Sequence, residues 1–261
     1  MELGLTGKRV IVAAASRGLG AAIARSLAQE GCIIEISSRS LDNAGATAGS
    51  ISADTGAVVT AAQVDVADGG AVQEWIDDAA ARMGGLDIVI PNAGGPPSMF
   101  FDTTTTDDWD RAYALTLRSA MAFARAARPH LRRGGSMLYL TSTSVREPIG
   151  ALAMSTVFRA GVSALAKLLA NDWASEGIRV NHLIPGRIAT ERLDELDSGA
   201  AQRSDTTLEA VRASNESAIP LGRYGHPDEF AAAATFLVSD AASYITGATL
   251  AVDGGALHNV M

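Results

Sequence analysis

The chain has little of what stabilises small extracellular folds. Its single cysteine, Cys32, permits no internal disulfide and offers no thiolate cluster for zinc. That cysteine lies in the apolar run "CIIEI", which reads as a buried structural thiol. Lysine and arginine total 21 against 29 aspartate and glutamate, so a net charge of -8 gives no electrostatic case for nucleic acid or an anionic membrane. No window reaches the ~18 apolar residues of a membrane span. The opening "MELGLTGKRV" has no apolar core flanked by basic residues. Of the four histidines, none stands at a spacing from an acid that suggests a metal site. These absences give the expectation of a reduced, soluble, cytoplasmic protein with neither a nucleic-acid nor a membrane partner.

What is present is 48% hydrophobic residues over 261 positions, enough for one large core. Apolar runs of strand length fall at 10–14, 33–37, 58–64, 86–91, 137–141, 180–184 and 249–252. Segments of helical period lie between them at 20–30, 44–53, 72–83, 107–131, 153–175 and 228–238. The strands read as continuous apolar runs, as they do when helices cover both faces of a parallel sheet. The expectation is therefore a doubly wound α/β fold with a seven-stranded parallel sheet, its ligands at the carboxyl ends of the strands. No composition break divides the chain, so residues 1–261 read as one domain. The polar, charged, helix-prone stretch 189–220 follows a strand end and interrupts the alternation. It reads as a lid over the ligand edge, or as a pair of solvated surface helices.

After the first strand comes "AAASRGLGAAIA", in which Gly18 and Gly20 open a helix directly. That geometry points backbone N–H groups and the positive helix end at a pyrophosphate. Gly20 lets the helix pack closely on the sheet, while Ala14 stands where the first glycine of such turns is usual. An acid at the end of the second strand would bind a ribose 2′-OH, and an arginine would accept a 2′-phosphate. Here that strand ends "EISSRS", with Ser38 and Arg39 at its tip, Arg17 in the phosphate turn, and Glu35 further back inside the strand. Two guanidiniums and no acid favour NADP(H) over NAD(H).

With these features on view, the chain resembles the short-chain dehydrogenase/reductase superfamily, particularly the branch of 3-oxoacyl-acyl-carrier-protein reductases. The likeness runs through "ASRGLG", "DVAD", "NAGG", "TSTS", "GIRVNHLIPGRIAT" and the long block "PLGRYGHPDEFAAAATFLVSDAASYITGATLAVDGG". It implies a Rossmann-type fold and a homotetramer or homodimer built on the long helices and the C-terminal segment. By the same resemblance Ala14, Ser16, Arg17, Gly18, Leu19 and Gly20 surround the pyrophosphate, and Asp65 and Val66 lie against the adenine. Asn92, Ala93 and Gly94 run along the cofactor, and Pro185, Gly186, Ile188 and Thr190 surround the nicotinamide.

The catalytic positions depart from that family. Its serine falls on Ser142. Its tyrosine, thirteen residues on, falls on Ser155; its lysine falls on Arg159, in a register set by "AGVSALAKLLA"; and its asparagine falls on Thr116. An alkyl alcohol cannot replace a phenol as proton donor. Arg159 stays protonated and is a poor acid, but it can hold ribose hydroxyls or stabilise a developing oxyanion. The resemblance with these changes implies an NADP(H)-dependent oxidoreductase acting on a small carbonyl, imine or enone through a non-standard site. A non-redox enzyme on the same scaffold and a non-catalytic nucleotide-binding regulator stay open beside it. Other candidates read as structural. Tyr139 alternates to the face opposite Ser142, Tyr113 reads as a core or interface tyrosine, His182 as a satisfied core histidine, and His130 and His226 as surface. His258 has no motif around it, and Trp75, Trp109 and Trp173 read as packing anchors.

Overall fold

A computed structural model describes residues 2–259. Seven parallel strands form one sheet in the order β3-β2-β1-β4-β5-β6-β7. They are β1 Arg9–Val12, β2 Ile33–Ser38, β3 Val59–Gln63, β4 Leu86–Ile90, β5 Leu131–Leu140, β6 Arg179–Pro185 and β7 Thr249–Val252. Val10 pairs with Ile34 on one side and Ile88 on the other, so β1 is an interior strand and the chain reverses direction of travel beside it. Such a reversal leaves a crevice at the carboxyl ends of β1 and β4. The doubly wound architecture expected from the alternating runs is the one observed.

Helices cover both faces because the strands are apolar on both. On one side Ile23 and Leu27 of α1 (Gly18–Gln29) pack with Phe230 of α9 (Pro227–Val238). On the other, Trp75 and Ile76 of α3 (Gly69–Met83), Phe123 of α5 (Ser119–Ala127) and Val162 of α6 (Ala153–Asp172) form a second core. Trp75 meets Phe123 edge-on at 6.1 Å, and Trp173 lies beneath the Arg128 guanidinium, as expected of packing anchors. Cys32 is buried with its thiol against the Leu5 carbonyl, and burial pushes its pKa up to about 12. Glu35 is also buried. It accepts from Trp75 Nε1 at 2.7 Å, from Thr60 Oγ1 at 3.1 Å and from Arg82, so its charge is spent inside the fold.

Several boundaries differ from the sequence reading for local reasons. The helix expected over 107–131 is α4 (Thr106–Tyr113), a π-helical turn Ala114–Arg118, then α5. At the start of α5, Ser119 Oγ donates back to the Leu115 and Thr116 carbonyls of that turn at 2.6 and 3.1 Å, competing with the helical ladder. Helix α5 stops at Ala127, before Pro129, and β5 begins at Leu131 rather than at 137. Helix α2 (Leu41–Thr55) is longer than expected because Ser40 caps its start and Gly56, left-handed at φ 74°, ends it. The insertion at 189–220 folds as α7 (Glu191–Arg203) and α8 (Leu208–Ser217). Among the described residues α6 alone has the length and apolarity of a bilayer-crossing helix, although no apolar run in the sequence suggested one. It packs one face on β5 and β6 through Val162 and Ala166, and leaves Val157 and Leu168 exposed.

Candidate active site

The crevice is bounded first by the turn after β1. Ala14 adopts φ 47°, the left-handed conformation that glycine usually supplies. Gly18 has φ 59° and Gly20 is buried; a Cβ on Gly20 would lie 2.7 Å from the Ala14 carbonyl oxygen and 2.8 Å from Ala15 Cα. The absence of a side chain there lets α1 begin against the turn. Arg17 occupies the N-cap position of α1 without a side-chain hydrogen bond to the helix, and its side chain is exposed. The Ser16 carbonyl accepts from Thr47 Oγ1, and Leu19 packs on the core beneath. At the tip of β2, Ser38 Oγ binds both the carbonyl and the N–H of Ser40, which makes a tight turn that leaves Arg39 exposed.

The opposite wall comes from β4 and β6. Asn92 donates to the Ala14 carbonyl at 3.3 Å, joining the two loops, and Ala93 and Gly94 continue along the rim. Pro185 ends β6, and Gly186 is required because a Cβ there would meet Asp253 Cα at 2.5 Å. Ile188 is buried and bridges to Gly225. Thr190 caps α7, and its methyl lies 3.9 Å from the point a Cβ on Gly18 would occupy. Residues far apart in sequence thus form one groove. Asp65, at the outer end, accepts from the Ala67 N–H as a turn acid, and Val66 beside it is buried.

The four positions of the expected catalytic set lie on three elements. Ser142 caps the turn Thr143–Val145 and accepts from Ser144 N at 3.2 Å. Ser155 is buried in the first turn of α6, with Arg159 one turn later. The Arg159 guanidinium donates to the Leu140 carbonyl at 2.9 Å and more weakly to that of Thr141 at 3.4 Å. Burial, with a smaller contribution from Arg192, lowers its pKa to about 10, which keeps it charged at neutral pH. Thr116 sits in the π turn with its hydroxyl buried and without a hydrogen-bond partner. Thr116 and Arg159 together line a cavity of about 20 Å³, large enough for one water. Ser142 and Ser155 do not line it.

Among the described residues, the other tyrosines and histidines singled out in the sequence have the following surroundings. Tyr139 donates to the Ala120 carbonyl at 3.1 Å, and complete burial raises its pKa. The Tyr113 ring meets that of Phe158 at a 49° tilt, centroids 5.8 Å apart, within an aromatic group that includes Trp109. His182 is buried with Nδ1 3.0 Å from Thr249 Oγ1, but its Nε2 has no partner, so the expectation of a satisfied core histidine holds at one nitrogen only. Burial and the charge of Arg146 lower its pKa to about 4. His130 pairs with Asp77, His226 caps α9, and the His258 N–H donates to Glu147.

Two features at the cleft escaped the sequence reading. Arg192, in the first turn of α7, reaches over the crevice and donates to the Pro96 carbonyl at 2.8 Å. Asp197, on the same helix, is buried and gathers Tyr224 OH at 2.8 Å, Asn215 at 3.0 Å and Arg187 at 3.2 Å. The one available signal was Arg192's position two residues beyond the "PGRIAT" motif, within a segment whose charge reads as ordinary solvation.

Comparison with known proteins agrees with this architecture. A family model described as enoyl-(acyl carrier protein) reductase matches residues 13–257. The chain is 35% identical over 254 residues to 3beta-hydroxysteroid dehydrogenase 1 of Eggerthella lenta, covering 96% of this chain and 94% of that one. It is 31% identical over 257 residues to a 3-oxoacyl-[acyl-carrier-protein] reductase of Chlamydia pneumoniae, covering 98% and 99%. Among solved structures, L-sorbose reductase from Gluconobacter frateurii, in complex with NADPH and L-sorbose, superposes with a TM-score of 0.94 at 28% identity, covering 100% of both chains.

Proposed function

The chain belongs to the short-chain dehydrogenase/reductase superfamily, and on that premise we propose that it is an NADP(H)-dependent oxidoreductase that reduces a conjugated enone. Arg159 carries the reading. A charged, half-buried guanidinium stands one helical turn from a buried serine, where the resemblance calls for a lysine and a phenol.

The groove fits a dinucleotide. The backbone N–H groups at the start of α1, which Gly20 lets begin against the turn, and the two exposed guanidiniums are the donor set a phosphorylated dinucleotide requires. In this reading Ala14 to Gly20 cradle the pyrophosphate, and Ser38, Arg39 and Arg17 take the 2′-phosphate. Asp65 and Val66 border the adenine. Asn92, Ala93, Gly94, Pro185, Gly186, Ile188 and Thr190 hold the remainder, and Arg159 also faces the ribose. When bound, the reduced dinucleotide supplies a hydride.

An enone accepts hydride at its β-carbon, and the C=C electron pair shifts onto the carbonyl oxygen as an enolate. That oxygen needs no proton at the moment of transfer. A fixed positive charge stabilises it, and Arg159 supplies one, oriented by its bonds to the Leu140 and Thr141 carbonyls. Ser142 is the hydroxyl that orients the carbonyl. The α-carbon then takes a proton from water, so enone, reduced dinucleotide and one proton yield saturated ketone and oxidised dinucleotide. Simple ketones form an alkoxide that needs an acid, and the lack of one slows them by ~10²–10⁴.

Two further readings accompany this one. Residues 189–220 act as a lid, supported by the reach of Arg192 to Pro96 and the joining of α7 and α8 through Asp197. The exposed Val157 and Leu168 on α6 support burial against a second copy, in a cytoplasmic homotetramer or homodimer.

The test is reduction of 4-phenylbut-3-en-2-one with NADPH carrying deuterium at the transferable position. Deuterium at the β-carbon of 4-phenylbutan-2-one is expected. Label on a carbinol carbon overturns the enone reading, and tight NADPH binding with no turnover moves the regulator reading ahead.

A further inference from the structure

Arg159 is not the only guanidinium in the cleft. Arg192 crosses from α7 to the loop after β4, a contact between residues 96 apart in sequence. Its guanidinium lies flat against Gly95, where a Cβ would sit 3.1 Å from Nη2 and 3.3 Å from Nε. A side chain at residue 95 would press on this guanidinium and shift it. Arg159 shares its small cavity with Asn92 and Ala93, and Arg192 lies against Gly95 and Pro96 of the same loop, so the two guanidiniums flank one short segment. Like charges held together in a partly desolvated crevice repel, and a structure keeps them there when something anionic comes between. The acid available is Glu195, whose Oε2 is 3.2 Å from Arg192 Nη1 on the exposed side of α7. That pair is more than a third exposed on both sides, so water screens it. The hydrogen-bond partners of Arg159 among the described residues are the Leu140 and Thr141 carbonyls, with no carboxylate among them.

We infer that the substrate carries an anionic oxygen group next to its reacting carbonyl, a carboxylate as in a 2-oxo-3-enoate, which Arg192 binds while Arg159 faces the carbonyl oxygen. This rests on the enone reading for the reaction, and on the arginine geometry alone for the binding. The planar fork of a guanidinium matches a carboxylate with two parallel hydrogen bonds, which a neutral methyl ketone cannot accept. Arg192 is then the specificity-determining residue, and its bond to Pro96 holds it over the crevice before ligand arrives.

The test compares matched pairs that differ only in the anionic group. By calorimetry without cofactor, 2-oxo-4-phenylbutanoate should bind at least ~10-fold tighter than 4-phenylbutan-2-one, the usual scale of one charge-assisted contact. In steady-state assays with NADPH, 2-oxo-4-phenylbut-3-enoate should show the same preference over 4-phenylbut-3-en-2-one, mainly in KM. Arg192→Met should bring both preferences close to 1, and Arg192→Lys should recover part of them. Glu195→Gln, which frees Arg192, should raise them and guards against a misfolded Arg192 variant. No preference in the calorimetry, or a preference that survives Arg192→Met, overturns the inference. So does an Arg192→Met variant whose sole change is weaker NADPH binding, since Arg192 would then serve the cofactor. If calorimetry shows the Arg192-dependent preference but neither enone is reduced, the anion site stands and the enone reading falls.

Discussion

The carbonyl oxygen of Ala14 lies 2.7 Å from the point that a Cβ on Gly20 would occupy. The two residues face each other across the turn that opens the crevice, and each limits what the other can be. Gly20→Ala would force backbone against backbone and should unseat the start of α1. Ala14 already holds φ 47°, which costs an L-residue about 1–2 kcal/mol. Ala14→Gly should remove that strain, offset in part by the greater freedom of glycine in the unfolded chain, for a net gain of about 0.5–1 kcal/mol. Thermal melts should show a small rise in Tm, and a fall would mean that the Ala14 methyl contributes packing that outweighs its strain.

The exposed guanidiniums of Arg17 and Arg39 predict cofactor choice. NADPH should bind at least ~10-fold tighter than NADH, because each charge-assisted contact to a phosphate contributes roughly 1.5–3 kcal/mol. Arg39→Ala should erase most of that difference and leave NADH binding nearly unchanged. Fluorescence titration measures both affinities; equal values in the wild type would refute the assignment.

Restoring the family's catalytic set should restore ketone chemistry. Ser155→Tyr, Arg159→Lys and Thr116→Asn combined should raise NADPH-dependent reduction of an activated ketone by on the order of 10²-fold. Each single change should do little, since groups acting as a unit are not additive. Vigorous ketone reduction by the wild type would show that another donor is at work. A triple variant that binds NADPH yet stays inert would mean the buried space around Ser155 does not admit the phenol.

Hydrogen exchange should report the lid. Amides in α7 and α8 should exchange faster than those of β6 without ligand and slow when NADPH and an enone are added. Full protection of 189–220 in the free protein would count against any opening. Asp197→Ala, which leaves Tyr224, Asn215 and Arg187 without their shared acceptor, should speed exchange across both helices.

His182 should make the fold acid-sensitive. Its pKa is lowered to about 4 in the folded protein, against 6.5 unperturbed, so the unfolded chain binds a proton that the native state refuses. Stability from this residue is therefore complete above about pH 6.5 and declines as pH falls toward 4, where the loss levels off. Urea titrations of the wild type and of His182→Asn between those limits should separate, with the variant showing the shallower dependence. Parallel curves would mean that the imidazole takes up its proton in the folded state.

Sequence alone determined the sheet, because strands buried on both faces must be apolar throughout and the helices between them must carry period. It also determined the phosphate turn, where Gly18 and Gly20 follow a strand and open a helix, and the register that puts Ser155 and Arg159 on one helical face. Those are short-range relations, settled by spacing along the chain. Tertiary structure decided the rest, because it depends on where distant segments meet. Glu35 looks like any strand acid until Trp75, Thr60 and Arg82 close around it. Thr116 and Arg159 share a cavity only because a π turn in one helix faces the first turns of another. Arg192 reads as one more charge in a polar insertion. Only the folding of α7 over the end of β4 brings it to Pro96 and into the field of Arg159.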